Sequence, residues 1–214
     1  IESQVTPNHI KYECMFEHDF TIDVLHLLLK SISHFKHLTE LELSGAVFND
    51  MNRQICKVVS KLPNITTIKY SNNKRGFLAH VSIEALGKCK QLTTLAINSW
   101  YITKSTKVAI GLAQLNNLQF IELSNCILKY NAFESICKTL TATPMLRSVK
   151  LSECSLGDNE CTILAAQFAR MKNLSVLLLN GNRSITDKGG VEIITKLQST
   201  KLKITKLYLS GTGI

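Results

Sequence analysis

The sequence predicts a curved α/β solenoid with a parallel sheet on its concave face and helices on its convex face. Three observations predict it. A short pattern (apolar, two variable, apolar, one variable, apolar) recurs seven times. The steps between copies are 27, 27, 26, 28, 28 and 30 residues. Between the copies lie stretches whose apolar residues follow one helical face.

The copies are Leu38-Leu41-Leu43, Ile65-Ile68-Tyr70, Leu92-Leu95-Ile97, Leu118-Ile121-Leu123, Leu146-Val149-Leu151, Leu174-Leu177-Leu179 and Ile204-Leu207-Leu209. Period-two alternation makes each a short strand. Three residues further on stand Ala46, Asn73, Trp100, Cys126, Cys154, Asn182 and Thr212. An asparagine there can satisfy backbone groups of the neighbouring loop. Trp100 is the anomaly, and is expected to turn outward or distort its loop. Two places later an apolar residue is usual: Phe48, Ile102, Leu128, Leu156 and Ile214. The second and sixth repeats carry Arg75 and Ser184 instead, so small insertions are expected, with Phe77 or Leu78 and Ile185 supplying the contact.

Helical faces are read from Ile55, Val58, Val59 and Leu62, and from Ile83 with Leu86. Others are Val108, Ile110, Leu112 and Leu115, then Phe133, Ile136, Cys137 and Leu140. The last two are Ile163, Leu164, Ala166 and Phe168, and Val191, Ile193, Ile194 and Leu197. Asp50, Thr103, Asp158 and Thr186 are candidate N-caps, because their side chains can accept an unpaired amide. Pro63 and Pro144 follow helices that they cannot extend.

Strand, turn and helix at this period resemble the leucine-rich repeat of the ribonuclease-inhibitor type. The best copies run from Leu118 to Cys126 and from Leu146 to Cys154. The resemblance spans about residues 38–214, seven repeats with the last truncated, within a single domain of residues 1–214. Residues 1–37 form an atypical first repeat, with Ile10, Tyr12 and Cys14 as its strand and Asp23 to Ser33 as its helix. Strands stack about 4.8 Å apart, whereas helices need about 8–10 Å, so the stack bends into a horseshoe arc.

Variable strand positions then face the inside of the arc. The candidate ligand-binding residues there are Glu40, Glu42, Lys69, Thr94, Phe120, Glu122, Lys150, Val176, Leu178, Lys206 and Tyr208. The exposed apolar members suit either a protein or microbial ligand or an adjacent domain of the same parent chain. Both readings stay open.

The 214 residues are 45% hydrophobic and carry a net charge of +9. Residues 1–50 hold three basic and eight acidic groups; the rest hold 22 and eight. Lys61, Lys88, Lys90, Arg170, Lys172, Lys201 and Lys203 all fall just before a strand. That rim is read either as a contact for an acidic partner, nucleic acid or protein, or as solubility and favourable charge at helix C-termini. The seven cysteines sit singly inside apolar patterns, as buried thiols of a reducing compartment do.

No apolar run approaches the roughly 20 residues of a membrane span, so no membrane insertion is expected. No phosphate loop, nucleophile elbow or zinc-protease motif occurs. His34 and His37 lack completing ligands, and no metal or cofactor is expected. Asn64, Asn173 and Asn182 begin N-x-[ST] triplets, the last at an inward turn position with no room for a glycan. The chain begins at Ile1 rather than Met and stops in a turn, so both ends are expected to be cut.

The repeats further resemble the C-terminal arms of nucleotide-binding leucine-rich-repeat (NLR) immune receptors. That resemblance implies a cytoplasmic, non-enzymatic arm that recognises a microbial or danger signal and restrains an ATPase module. The alternatives are a free-standing repeat adaptor, an enzyme inhibitor or a GTPase regulator. A ribonuclease-type inhibitor needs an acidic surface, which a +9 chain lacks.

Overall fold

The structure, a computed structural model, describes residues 2–6, 8–14, 22–45, 57–71, 77–78, 84, 86–102, 105–128 and 131–214. Among these residues the main sheet has nine strands: β1 (Glu2–Thr6), β2 (His9–Cys14), β3 (Glu40–Gly45), β4 (Thr67–Ser71), β6 (Thr94–Asn98), β8 (Phe120–Ser124), β10 (Ser148–Lys150), β11 (Val176–Leu178) and β12 (Lys206–Tyr208). From β2 onward every pairing is parallel and in repeat register. Ile68 pairs with Leu95, Leu95 with Ile121, and Ile121 with Val149. That register is the apolar pattern itself, because a slip of one residue would turn every leucine to solvent.

The recurring aliphatics form one core. Leu38, Leu41, Leu43, Ile65, Ile68, Leu92, Leu95, Ile97 and Leu118 are all fully buried, as are Val149, Leu177 and Leu179. Each such side chain contributes about 1.5–3 kcal/mol of burial. Cys89, Cys126, Cys137, Cys154 and Cys161 are buried inside it. Burial pushes Cys89 and Cys154 up to about 12 and Cys161 to about 11, and it raises Cys137 further. They behave as small hydrophobes.

Helices cover one side of the sheet: α1 (Ile22–His34), α2 (Ser105–Ala113), α3 (Ala132–Leu140), α4 (Asp158–Ala165) and α5 (Asp187–Ser199). Phe133, Ile136, Cys137 and Leu140 bury together as their spacing predicts. On the other predicted faces, Ile110, Val191 and Ile194 are exposed. Ile110 lies two residues from both Val108 and Leu112, about 200° round the axis, so it points away when they point in. Val191 bears the same relation to buried Ile193, and Ile194 stands about 100° round the axis from it. Phe168 is buried but belongs to a separate 3-10 turn, Phe168–Arg170, and Ala166 is exposed.

One cap also differs from expectation. Gly157, not Asp158, is the N-cap of α4, and Glu160 Oε2 accepts its N–H at 2.9 Å. Thr186 caps α5 as predicted. Asp50 and Thr103 lie outside the described residues.

The first repeat has the predicted strand and helix, but β1 adds an antiparallel partner to β2 through Val5–Ile10 and Thr6–His9 pairing. The Pro7-Asn8 step between two β-prone runs was the available signal. A second, three-stranded sheet of β5 (Phe77–Leu78), β7 (Trp100–Ile102) and β9 (Ile127–Leu128) follows the turns. It uses the apolar positions expected there, and Ile185 is fully buried in the sixth repeat. The backbone of Trp100 continues into β7, and its side chain lies outside the described residues.

Between strand and turn the chain bends through a left-handed residue at the same place in the last five repeats, and Ser155 adds a second, at φ 56°, in the fifth. Ser99, Asn125, Glu153, Gly181 and Gly211 have φ of 61°, 53°, 57°, 72° and 70°. Ser99, Asn125, Glu153 and Gly181 donate their N–H to the carbonyl of the next repeat, at 2.8–3.0 Å. The bend therefore extends the ladder past the strand.

Candidate functional site

The candidate residues lie on the sheet face opposite the helices, because they alternate with the buried aliphatics. Glu40 and Glu42 are on β3, Lys69 on β4, Thr94 on β6, and Phe120 and Glu122 on β8. Lys150 is on β10, Val176 and Leu178 on β11, and Lys206 and Tyr208 on β12. Strand register lines them into two rows. One runs Glu42, Lys69, Ala96, Glu122, Lys150, Leu178, Tyr208; the other runs Glu40, Thr67, Thr94, Phe120, Ser148, Val176, Lys206.

Cross-strand ion pairs organise the charged part. Lys69 Nζ meets Glu40 at 2.5 Å, Lys150 meets Glu122 at 2.8 Å and Lys11 meets Glu42 at 3.6 Å. The Glu40 hydrogen bond raises the Lys69 pKa against the opposing effect of partial burial. Ser124 Oγ donates to Glu122 at 2.8 Å and fixes that carboxylate. His9, Glu40 and Glu42 place three ligand atoms within 4.8 Å of one another. Lys69 and Lys11 already pair with both carboxylates, so a cation there would have to displace an ion pair.

Between the two charged pairs the surface dips. Ala96 ends at its Cβ where neighbouring strands carry long side chains. The result is an open hollow of about 450 Å³ lined by Lys69, Thr94, Ala96, Phe120, Lys150 and Leu178. Phe120 is 46% exposed on its wall, and Tyr208 is 47% exposed two strands beyond Lys150. Sequence periodicity identified the rows but not this hollow, which needs the short side chain of Ala96 between two ion-paired lysines.

Two side-chain ladders hold the rows rigid. At the turn, Asn182 is fully buried. Its Oδ1 accepts from Cys154 N at 2.9 Å and Leu156 N at 3.1 Å, while Nδ2 donates to Leu151 O and Leu179 O at 2.8 and 2.7 Å. Cys154 Sγ donates to Leu123 O at 2.8 Å, and Cys126 Sγ to Ile97 O at 3.5 Å, in the preceding repeats. At the strand entry, the hydroxyls of Thr39, Thr66, Thr93, Ser175 and Thr205 each donate to the carbonyl one repeat back, at 3.0–3.3 Å. Asn64, Asn117 and Asn173 add side-chain amide bonds to the preceding repeat, at 2.6–2.8 Å. Recurrence of Thr or Ser just before the strand was the overlooked signal.

Fold and surface together define an α/β solenoid of leucine-rich-repeat type whose exposed sheet face lies opposite its helices. No protein-family model matches the chain. Over 169 residues it is 25% identical to the bovine (Bos taurus) NACHT, LRR and PYD domains-containing protein 5, covering 75% of this chain and 15% of that protein. The chain thus spans a small part of that relative's length. Among solved structures it is similar to internalin C2 from Listeria monocytogenes, at TM-score 0.46 and 18% identity over 86% of this chain and 72% of that one. A leucine-rich-repeat protein of Leptospira interrogans is similar at TM-score 0.31 and 14% identity, over 90% of this chain and 58% of that one.

Proposed function

We propose that the chain is the non-catalytic recognition arm of an NLR-type innate immune receptor, and that it binds a protein or microbial ligand on its concave face. The observation that carries the binding reading is the hollow at Ala96, between the Glu40–Lys69 and Glu122–Lys150 pairs and walled by exposed Phe120. An apolar wall beside fixed charges suits an anchor residue ringed by polar contacts. The candidate residues Glu40, Glu42, Lys69, Thr94, Phe120, Glu122, Lys150, Val176, Leu178, Lys206 and Tyr208 are the proposed contact set. The receptor reading draws support from the sequence similarity to the bovine NACHT-domain protein. The burial of five cysteines inside the apolar core, among the described residues, accords with a cytosolic setting. Among the described residues no helix is long and apolar enough to cross a membrane.

Photo-crosslinking tests the face. A benzoylphenylalanine at position 96 or 178 is expected to capture a partner in cells, and Phe120→Asp to abolish the adduct. Equal capture from position 110 or 162, on the helical side, removes the concave-face reading. The receptor reading requires a nucleotide-binding module in the same transcript, and sequencing upstream of the codon for Ile1 decides it.

A further inference from the structure

A second surface is independent of the concave face. At the strand-entry rim of the last two repeats, α4 stops at Ala165 and gives way to the 3-10 turn Phe168–Arg170, whereas α5 continues to Ser199. This repeat-to-repeat step is also the longest, at 30 residues. The mismatched helix ends leave a cleft of about 420 Å³ between Ala169 and Lys172 on one side and Thr200, Lys201 and Leu202 on the other, over Phe168. The polar groups of its Ser/Thr wall are already engaged. Ser199 Oγ donates to Lys196 O and Thr200 Oγ1 to Leu197 O, both at 2.8 Å. What the cleft offers a ligand is therefore an apolar floor between two ammonium groups.

The charge around it is one-sided. From Ile163 to Ile214 eight basic groups stand against two acidic ones, Asp187 and Glu192, both on α5. Arg170, Lys172, Lys201 and Lys203 are exposed, and none is in an ion pair among the described residues. Cations serving only for solubility need no apolar cleft between them. Nucleic acid is disfavoured because the exposed large apolar residues among those described include no aromatic on this rim.

We infer that this cleft docks an acidic protein segment carrying one apolar anchor residue, the anchor entering over Phe168 and its flanking carboxylates meeting Lys172 and Lys201. Charge steers the encounter and the anchor supplies the specificity.

Fluorescence anisotropy of labelled probes tests this. A glutamate-rich peptide with one central leucine is expected to bind at least tenfold more tightly than its serine counterpart and more tightly than oligo-dT at equal salt. Lys172→Glu with Lys201→Glu is expected to weaken the leucine peptide at least tenfold. Ala169→Trp, which fills the cleft without changing charge, is expected to do the same. Lys61→Glu with Lys88→Glu, on the rim of earlier repeats, is expected to leave it within twofold. Absence of binding, equal affinity for the serine peptide, tighter binding of oligo-dT, or indifference to Ala169→Trp each overturns the inference. All substituted positions except Ala169, which sits in the 3-10 turn, lie outside helix and strand, and all five are exposed, so circular dichroism should confirm folding throughout.

Discussion

Asp158, the first residue of α4, caps the helix of the following repeat rather than its own: its carboxylate accepts from Thr186 N at 2.8 Å and from the Thr186 hydroxyl at 2.7 Å. Oδ1 also accepts from Gly189 N at 3.0 Å. A Cβ at Gly189 would stand 2.5 Å from that oxygen, so only glycine lets the backbone approach. One carboxylate thus fixes the start of α5 against α4, where the helix dipole favours negative charge.

These bonds, led by those from Thr186, hold the Asp158 carboxyl below its usual range. A depressed folded-state pKa means stability that is present above about pH 4 and is lost as pH falls through the folded value. Asp158→Asn is expected to lower the thermal midpoint by a few degrees at pH 7, and the gap from the parent to close below pH 4. A gap that stays constant from pH 7 to pH 3 would show that the charge is irrelevant.

Asn182→Ala should be among the most damaging single changes in the chain. It leaves four buried backbone groups without partners, at about 1–3 kcal/mol each where no water replaces the amide. Urea denaturation is expected to show a loss of roughly 3 kcal/mol or more. Asn182→Asp keeps the two accepted bonds but loses the two donated ones and buries a charge, so it should be no milder. A loss under 1 kcal/mol for the alanine variant would contradict the ladder.

The sequence pattern made the solenoid legible because the buried aliphatics repeat at a fixed interval with strand spacing inside each copy and helical spacing between copies. Asn182 was legible for the same reason, as an amide at a recurrent inward place. Asp158 was not, because its partner lies 28 residues ahead and local spacing reads it as a cap of its own helix. The left-handed bends were hidden because Ser99, Asn125 and Glu153 carry no glycine signature; Asn125 tolerates that conformation, whereas Ser99 and Glu153 are held in it by the stacking hydrogen bonds. The hollow at Ala96 depends on side-chain length in three dimensions, which periodicity does not encode.

Alkaline pH should destabilise the chain through its buried thiols. Folded-state values near 12 for Cys89 and Cys154 exceed the unfolded value of 9, so their contribution is complete below pH 9 and is lost between pH 9 and about 12. Each thiol that stays neutral in the fold while ionising in the unfolded chain loses about 1.4 kcal/mol per pH unit over that window. Cys89→Ala removes one such group. Its deficit relative to the parent, set at pH 8 by the lost sulfur, is expected to shrink by about that slope between pH 9 and pH 11. A deficit independent of pH would mean the thiol ionises in place.

On the concave face, the Glu40–Lys69 pair is expected to matter little for stability. Its side chains are 29% and 43% exposed, and pairs of that exposure contribute about 0–1 kcal/mol. Glu40→Gln should shift the urea midpoint only slightly, and less as salt is raised. If the proposed contact set is right, the same change should alter ligand affinity more than stability. A large loss of stability would instead make the pair a structural strut.

Glu153 and Gly181 occupy the same bend in consecutive repeats, with φ of 57° and 72°, and the glutamate Cγ lies 2.7 Å from where a Cβ on Gly181 would sit. Gly181→Ala therefore carries two costs: roughly 1–2 kcal/mol for placing a side chain in the left-handed region, and a contact with Glu153 that must shift. A double-mutant cycle separates them. Glu153→Gly removes the obstructing side chain and relieves a strained bend, so alone it should be close to neutral once the added freedom of the unfolded chain is counted. In that background Gly181→Ala should cost measurably less than in the parent, while still costing the left-handed part. Equal costs in both backgrounds would show that Glu153 moves aside freely and that backbone conformation alone selects glycine at position 181.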